Sequence, residues 1–131
     1  MITSPYDKYR QSSVQTSTPS QLLLMLYDGA IRFVRGGIEG IKEGDYDKVN
    51  TLLNKAQSIV TELTVTLDYS YEVSKGLASL YEYINHLLID ANIKKTAPPA
   101  EEALGYLLDL RDTWAQAAKL AGGGVPESSN G

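Results

Sequence analysis

The fold is decided near the start of the chain by residues 19–34, which read PSQLLLMLYDGAIRFV. Apolar side chains recur here at the i, i+3, i+4 and i+7 spacing of a helix that buries one face. A second apolar stripe lies beside this face and comprises Leu22, Met25, Gly29, Phe33, Gly36 and Gly40. A helix that is apolar around most of its circumference is either deeply buried or binds another molecule. This surplus of apolar surface favours a binding protein over a catalyst.

The ends of this first helix carry clear signals. Thr18 is suited to the N-cap, Pro19 to the first helical position, and Gln21 completes a capping box with Thr18. Gly44 is a typical stop signal, so the helix is predicted to cover residues 19–43. Asp28 is followed four residues later by Arg32, a spacing that predicts an ion pair on the helix surface.

Three further amphipathic segments follow the first helix. Asp45 can cap the second of them, Asp68 begins the break after it, and Pro98-Pro99 opens the last. The predicted helices cover residues 19–43, 46–67, 71–95 and 99–121. Short connections predict an all-α, antiparallel up-down four-helix bundle. The bundle domain is predicted to span 18–121, between a short N-terminal arm (1–17) and a flexible C-terminal tail (122–131).

Composition excludes several classes of protein. The 131 residues contain no cysteine and carry a net charge of −4, so disulfides and thiolate metal sites are excluded. The chain has no basic block that would suit nucleic acid, no apolar run long enough to span a membrane, and no visible secretory signal. We therefore expect a cytoplasmic protein.

An enzyme or metal site is poorly supported. A di-metal helical bundle needs Glu-x-x-His motifs from two helices, whereas His86 is the only histidine. Glu82 and His86 share a helix face, but this face lies opposite the apolar stripe and is more typical of a solvated surface. No glycine-flanked serine is present to pair with His86 as a base. The sequence predicts no catalytic residues, metal or cofactor.

Two groups of residues leave alternatives open. The interior glycines of the first helix favour either a groove that a partner backbone enters or close packing against a neighbouring helix of the same bundle. Tyr27 and Tyr81 lie on core stripes and are predicted to be buried. Tyr6 and Tyr9 lie in the arm, where they are either solvated or docked on the exposed stripe of the first helix.

Several blocks of this sequence together resemble a known family. They are PYDKY at 5–9, Val14, TSTP at 16–19, LLMLYDGA at 23–30, KAQSIVTEL at 55–63, TLD at 66–68, YEVS at 71–74, LYEYI at 80–84, LIDANIK at 88–94 and RDTW at 111–114. In order and spacing they are similar to the flagellin-specific export chaperones (FliS), over nearly the whole chain. No single block is diagnostic, but the set is highly specific.

The resemblance implies an antiparallel bundle that binds the C-terminal segment of flagellin in the bacterial cytoplasm and keeps it from polymerising before export. It also implies that the arm covers part of the binding surface and moves when flagellin arrives. The predicted partner-binding residues fall into three groups. They are Tyr6, Tyr9 and Val14 of the arm, Leu22, Met25, Leu26, Gly29 and Phe33 as the groove wall of the first helix, and Gln57 and Thr64 as polar contacts on the outer flank of the second helix. A homodimer, a contact with the flagellar export machinery, and a self-associating structural bundle without a flagellin client remain open.

Overall fold

The computed structural model describes residues 18–121, and in this range the chain forms four α-helices. They are α1 (Pro19–Glu43), α2 (Tyr46–Val65), α3 (Val73–Lys94) and α4 (Ala97–Leu120). Each helix packs against its neighbours in sequence, and α4 returns to pack against α1. The prediction of an all-α four-helix bundle is confirmed for this part of the chain. The predicted arm and tail lie outside the described residues.

Contacts between consecutive helices show that they run antiparallel. Gly29 of α1 faces Ile59 of α2, whereas Gly40, further along α1, faces Val49, earlier in α2. Between α2 and α3, Asn85 donates to Thr61 and Asn92 donates to Asn50, so this register also runs in opposite directions. The up-down order follows from the short connections, because a connection of a few residues cannot carry the chain back along the bundle before the next helix begins.

The glycines of α1 allow α2 to approach closely. A Cβ atom on Gly36 would lie 2.6 Å from Leu52 Cδ1, and one on Gly37 would lie 2.5 Å from Leu53 Cδ2. Real Cβ atoms do not come this close, so a larger residue at either position would force the facing leucine side chain, or the helix that carries it, to shift. Of the two alternatives left open by the sequence, close packing inside the bundle is therefore the one observed along residues 36–40.

The predicted helix caps are present. The Thr18 hydroxyl accepts from the Gln21 backbone N–H at 3.1 Å, and the Gln21 side chain accepts from the Thr18 N–H at 2.9 Å. Gly44 takes a left-handed conformation with φ of 73°, which glycine adopts without the steric cost of a Cβ atom. Asp45 accepts from the Lys48 N–H at 3.2 Å and caps α2.

Three helix boundaries differ from the predicted ones by two residues. Helix α2 ends at Val65, because Thr66 caps it and its hydroxyl donates to the Leu63 carbonyl. Helix α3 begins at Val73, after a turn in which Asp68 accepts from both the N–H and the hydroxyl of Ser70. Helix α4 already begins at Ala97, because Pro98 and Pro99 fit the first turn, where a backbone N–H has no helical partner.

The core consists of buried side chains from all four helices, and it includes Tyr27 and Tyr81 as predicted.

On the surface, Asp28 does not pair with Arg32. Its carboxylate instead accepts from Arg111 Nε of α4 at 2.7 Å, and Arg32 lies over the Phe33 ring. The expected pair within α1 is thus wrong, because α4 brings a second guanidinium closer. No helix of the described range is long and apolar enough to cross a membrane.

Candidate partner-binding surface

The first candidate surface is an open groove between α1 and α2, which we call the α1/α2 groove. It encloses about 510 Å³. Its lining residues are Leu22, Met25, Leu26, Gly29, Arg32 and Phe33 from α1 with Ile59, Glu62 and Thr66 from the α2 side. Apolar walls with a few polar groups at the rim are typical of a site that binds an amphipathic segment.

The five helix-one residues predicted to contact a partner all line this groove. Met25 is exposed, whereas Leu22, Leu26 and Phe33 are half-buried and Gly29 is buried at its floor. A Cβ atom on Gly29 would lie 3.1 Å from Ile59 Cδ1. Because Gly29 has no side chain, α2 can approach α1 closely here and the floor of the groove stays unfilled. The structure therefore brings these five residues together, and their role as partner contacts stays a prediction.

The remaining predicted contacts do not join this group. Gln57 and Thr64 lie on the flank of α2 that faces α3, the same flank as Thr61, which bonds to Asn85. The Gln57 amide donates to Asn54 Oδ1 at 3.4 Å, and the Thr64 hydroxyl donates to the Val60 carbonyl at 3.1 Å. Tyr6, Tyr9 and Val14 lie outside the described residues.

A second concavity lies at the end of the bundle where α1 begins, and we call it the end cavity. It encloses about 400 Å³. It is lined by Leu23, Leu63, Thr66, Leu67, Asp68, Tyr71, Val73, Ser74, Leu77, Tyr81 and Trp114. Tyr71 and Val73 are exposed large side chains. Tyr71 belongs to the short connection between α2 and α3, and Val73 is the first residue of α3. Sequence reasoning missed this cavity.

One sequence signal points to the end cavity. Tyr69 and Tyr71 in the connection, followed by Val73 at the start of α3, place more large apolar side chains at one exposed point of the chain than a solvated turn needs. The other walls could not be read from the sequence, because Leu23, Leu63 and Trp114 belong to three different helices and meet only in the folded chain.

A buried polar network closes the floor of the end cavity. The hydroxyls of Tyr27 and Tyr81 are hydrogen-bonded to each other, and Trp114 Nε1 donates to Tyr27 Oη at 3.1 Å. Burial raises the pKa of Tyr27 above its usual range, and the hydrogen bond to Tyr81 adds to this shift. Burial also raises the pKa of Tyr81, against the lowering effect of its hydrogen bond to Tyr27 and of the nearby Trp114 indole N–H. Both phenols are therefore neutral donors and acceptors rather than acid-base groups at neutral pH.

Three concavities adjoin one another around the first half of α1. Thr66 lines both the α1/α2 groove and the end cavity. Leu23 and Trp114 line both the end cavity and a third concavity of about 230 Å³ between α1 and α4. We call these three adjoining concavities the apolar trough. A partner bound along the trough would contact one flank of α1, the end of the bundle and the other flank of α1.

The face that carries Glu82 and His86 is exposed, as predicted. Within residues 18–121, no group of three or more His, Asp or Glu side chains is placed to hold a metal ion. The Tyr27–Tyr81–Trp114 network has no carboxylate or imidazole partner among its hydrogen bonds. The trough presents a partner with mainly apolar side chains, together with the charged side chains of Arg32, Glu62 and Asp68.

Comparison with known proteins agrees with this geometry. Residues 2–121 match the family model described as flagellar protein FliS. The chain is 41% identical to the flagellar secretion chaperone FliS of Bacillus subtilis over 116 residues, which cover 88% of this chain and 87% of the relative. It is 31% identical to the flagellar secretion chaperone FliS of Salmonella typhimurium over 114 residues, covering 85% and 84% of the two chains.

These relatives are named as chaperones, and the name describes a role that handles another protein rather than a chemical reaction. The match runs through all four helices and therefore includes every described residue of the apolar trough. The chain belongs to the flagellar protein FliS family.

Proposed function

We propose that this protein is a cytoplasmic export chaperone, without enzymatic activity, that binds the C-terminal segment of flagellin. By covering that segment, it prevents flagellin from polymerising before export and keeps it competent for secretion. The family membership and the names of the relatives support a flagellar secretion chaperone. The choice of flagellin and of its C-terminal segment follows from the family resemblance and is the part that needs a test.

The observation that carries the proposal is the apolar trough, whose three concavities adjoin one another around α1. A segment that is disordered before assembly gives up conformational entropy when it becomes ordered, so it needs a large apolar surface to offset that cost. The α1/α2 groove alone encloses about 510 Å³, and Thr66 joins it to the end cavity. A long segment can therefore bury apolar side chains on both flanks of α1.

The groove suits an amphipathic client. Leu22, Leu26, Gly29 and Phe33 follow one another at helical spacing along its α1 wall, and Ile59 lies across from Gly29. A client helix that presents apolar residues at i, i+3, i+4 and i+7 would pack along this wall. The same client residues are then unavailable for contacts with other flagellin subunits.

We further propose that the arm competes with the client. Residues 1–17 join the bundle at Thr18, one turn before Leu22 and Leu23, which line the groove and the end cavity. Docking of Tyr6, Tyr9 and Val14 on this surface would lower the apparent client affinity in proportion to the docked fraction. Deletion of residues 1–17 should then tighten binding, whereas weaker binding would mean that the arm itself contacts the client.

Calorimetric titration with a peptide that spans the C-terminal segment of the same organism's flagellin tests the client. We expect saturable one-to-one binding with a large negative heat-capacity change, because apolar surface is buried. Met25→Glu places a charge in the groove and should weaken binding roughly fivefold or more. Ile93→Glu is the matched control, because Ile93 is 75% exposed on α3 and lies outside the trough.

The possible outcomes separate the alternatives. Equal loss of affinity in the Met25 and Ile93 variants would place the client on another surface. No binding to either the full chain or the chain without residues 1–17 would contradict the flagellin assignment. Mass measured against protein concentration then tests the alternative, since a self-associating bundle forms a stable dimer without flagellin. Titration of this protein with purified components of the flagellar export machinery tests whether that machinery is a second partner.

A further inference from the structure

The α1/α2 groove is cationic at the end where Phe33 lies. The Arg32 guanidinium carbon is 5.1 Å and the Lys55 ammonium nitrogen 5.6 Å from the centre of the Phe33 ring. Both distances fit an attraction between a cation and an aromatic face. Within residues 18–121 neither cation forms an ion pair with a carboxylate, so their charge is not neutralised locally.

The groove is acidic at its other end. Glu62 lines the groove about two helical turns from Lys55 on α2. Asp68 lines the adjoining end cavity, and its carboxylate is fixed by two hydrogen bonds from Ser70. These bonds hold the pKa of Asp68 below its usual value of 3.8, so this carboxylate is ionised at neutral pH.

Neighbouring charges do not cancel this difference between the two ends. Asp28, the acidic residue of α1 nearest to Arg32, is paired with Arg111 on the flank that faces α4. Glu43 and Lys48 pair with each other beyond the cationic end of the groove. Among the described residues, the charges left at the groove are Arg32 and, beside Phe33, Lys55 at one end and Glu62 at the other, with Asp68 beyond it.

We propose that this charge difference fixes the direction in which a client helix lies in the groove. The client's carboxyl-terminal end faces Arg32 and Lys55, and its amino-terminal end faces Glu62 and Asp68. The physical reason is the helix dipole, because unpaired carbonyls at a helix C-terminus attract cations and unpaired N–H groups at an N-terminus attract anions. The client therefore runs parallel to α1, and acidic client residues are favoured near Phe33. This inference rests on the proposed function, which supplies the client.

Direction can be measured with spin labels, because the chain has no cysteine and an introduced one is unique. Thr51→Cys places a nitroxide one turn before Lys55, near the cationic end, and Tyr69→Cys places it near the acidic end. Both positions are exposed. The probe is an isotope-labelled peptide of the flagellin C-terminal segment. We expect the label at residue 51 to broaden amide signals at the carboxyl end of the groove-bound peptide helix, and the label at residue 69 to broaden those at its amino end.

The opposite pattern, or equal broadening of both peptide ends from each label, would overturn the proposed direction. These outcomes differ from failure of the proposed function, since in that case the peptide does not bind the unlabelled protein at all. Thermal unfolding of each labelled variant without peptide checks that the bundle is intact.

Charge variants provide an independent measurement. Arg32→Glu and Lys55→Glu should each weaken peptide binding about two- to fivefold, which is the size expected for one charge at a helix end. Raising the salt concentration should reduce the difference from the unsubstituted protein, because these groups are partly exposed. Arg35→Glu is the control, because Arg35 is exposed on the same helix and does not line the groove. Unchanged affinity in both groove variants, or an equal loss in the Arg35 variant, would contradict the inference.

Discussion

Trp114 of α4 donates its indole N–H to the hydroxyl oxygen of Tyr27 in α1, with 3.1 Å between Nε1 and Oη. The same hydroxyl is hydrogen-bonded to Tyr81 of α3. Three helices thus meet at one buried polar atom, directly beneath the end cavity. Because a buried polar group without a partner is costly, this oxygen links the packing of the core to the floor of the proposed binding surface.

Tyr27→Phe should therefore lower the free energy of unfolding by about 1–3 kcal/mol, because it removes the hydroxyl that accepts from the half-buried Trp114 and bonds to the buried Tyr81. Tyr81→Phe should cost less, since the bond between Trp114 and Tyr27 remains. Urea unfolding of both variants measures the difference, with Tyr46→Phe as an exposed control. Equal losses in the two core variants would show that Tyr27 is not the centre of the network.

The same two phenols predict how stability depends on alkaline pH. Burial raises the pKa of both Tyr27 and Tyr81 above the ordinary value of 10.0. A raised folded-state pKa favours the protonated form, so the stabilisation is complete below pH 10 and is lost progressively as pH rises above it. Unfolding free energy measured between pH 8 and pH 11 should fall at the upper end of this range. In Tyr27→Phe the fall should be smaller, and an unchanged slope in that variant would contradict this assignment.

Gly37→Ala should destabilise the bundle by about 1–3 kcal/mol, because the added Cβ atom overpacks the α1–α2 contact. That atom would lie 2.8 Å from Leu53 Cγ, and Leu53 is fully buried and cannot move aside easily. Gly105→Ala is the matched substitution in α4, where a Cβ atom would meet nothing within 4 Å. It should stabilise the protein by roughly 0.5–1 kcal/mol through helix propensity. Thermal unfolding of the pair should thus give shifts of opposite sign.

Thr18→Ala should cost about 1 kcal/mol, because it removes the hydroxyl that accepts from Gln21 at the start of α1. Thr96 is the natural control, since it occupies the N-cap of α4 without a side-chain cap bond. Thr96→Ala should therefore leave the unfolding midpoint in urea nearly unchanged. A comparable loss at both positions would mean that the Thr18 effect does not come from the capping bond.

Local features of the fold could be predicted from the sequence because neighbouring residues decide them. The caps at Thr18 and Asp45 and the stop at Gly44 depend on backbone groups within a few residues. Burial of Tyr27 and Tyr81 follows from apolar periodicity, which determines the face that a helix turns to the core.

The binding surface was predictable only on one side. Leu22, Met25, Leu26, Gly29 and Phe33 could be grouped beforehand because they share one flank of α1. Gln57 and Thr64 were predicted to supply polar contacts from the outer flank of the second helix, and the rotation of α2 about its axis turns that flank toward α3. That rotation is set by the packing of Ile59 and Leu52 against the α1 glycines, which periodicity within α2 does not reveal.

By itself, then, the sequence determined four amphipathic helices, their caps and an excess of apolar surface on the first, because hydrogen bonding and periodicity act over a few residues. The tertiary structure decided which residues that are far apart in sequence contact one another. Asp28 pairs with Arg111 rather than Arg32, and Trp114 meets Tyr27 across the core. Helix packing also places Leu23, Leu63 and Trp114 around one cavity, because such contacts depend on how whole helices are rotated and aligned rather than on residues near in sequence.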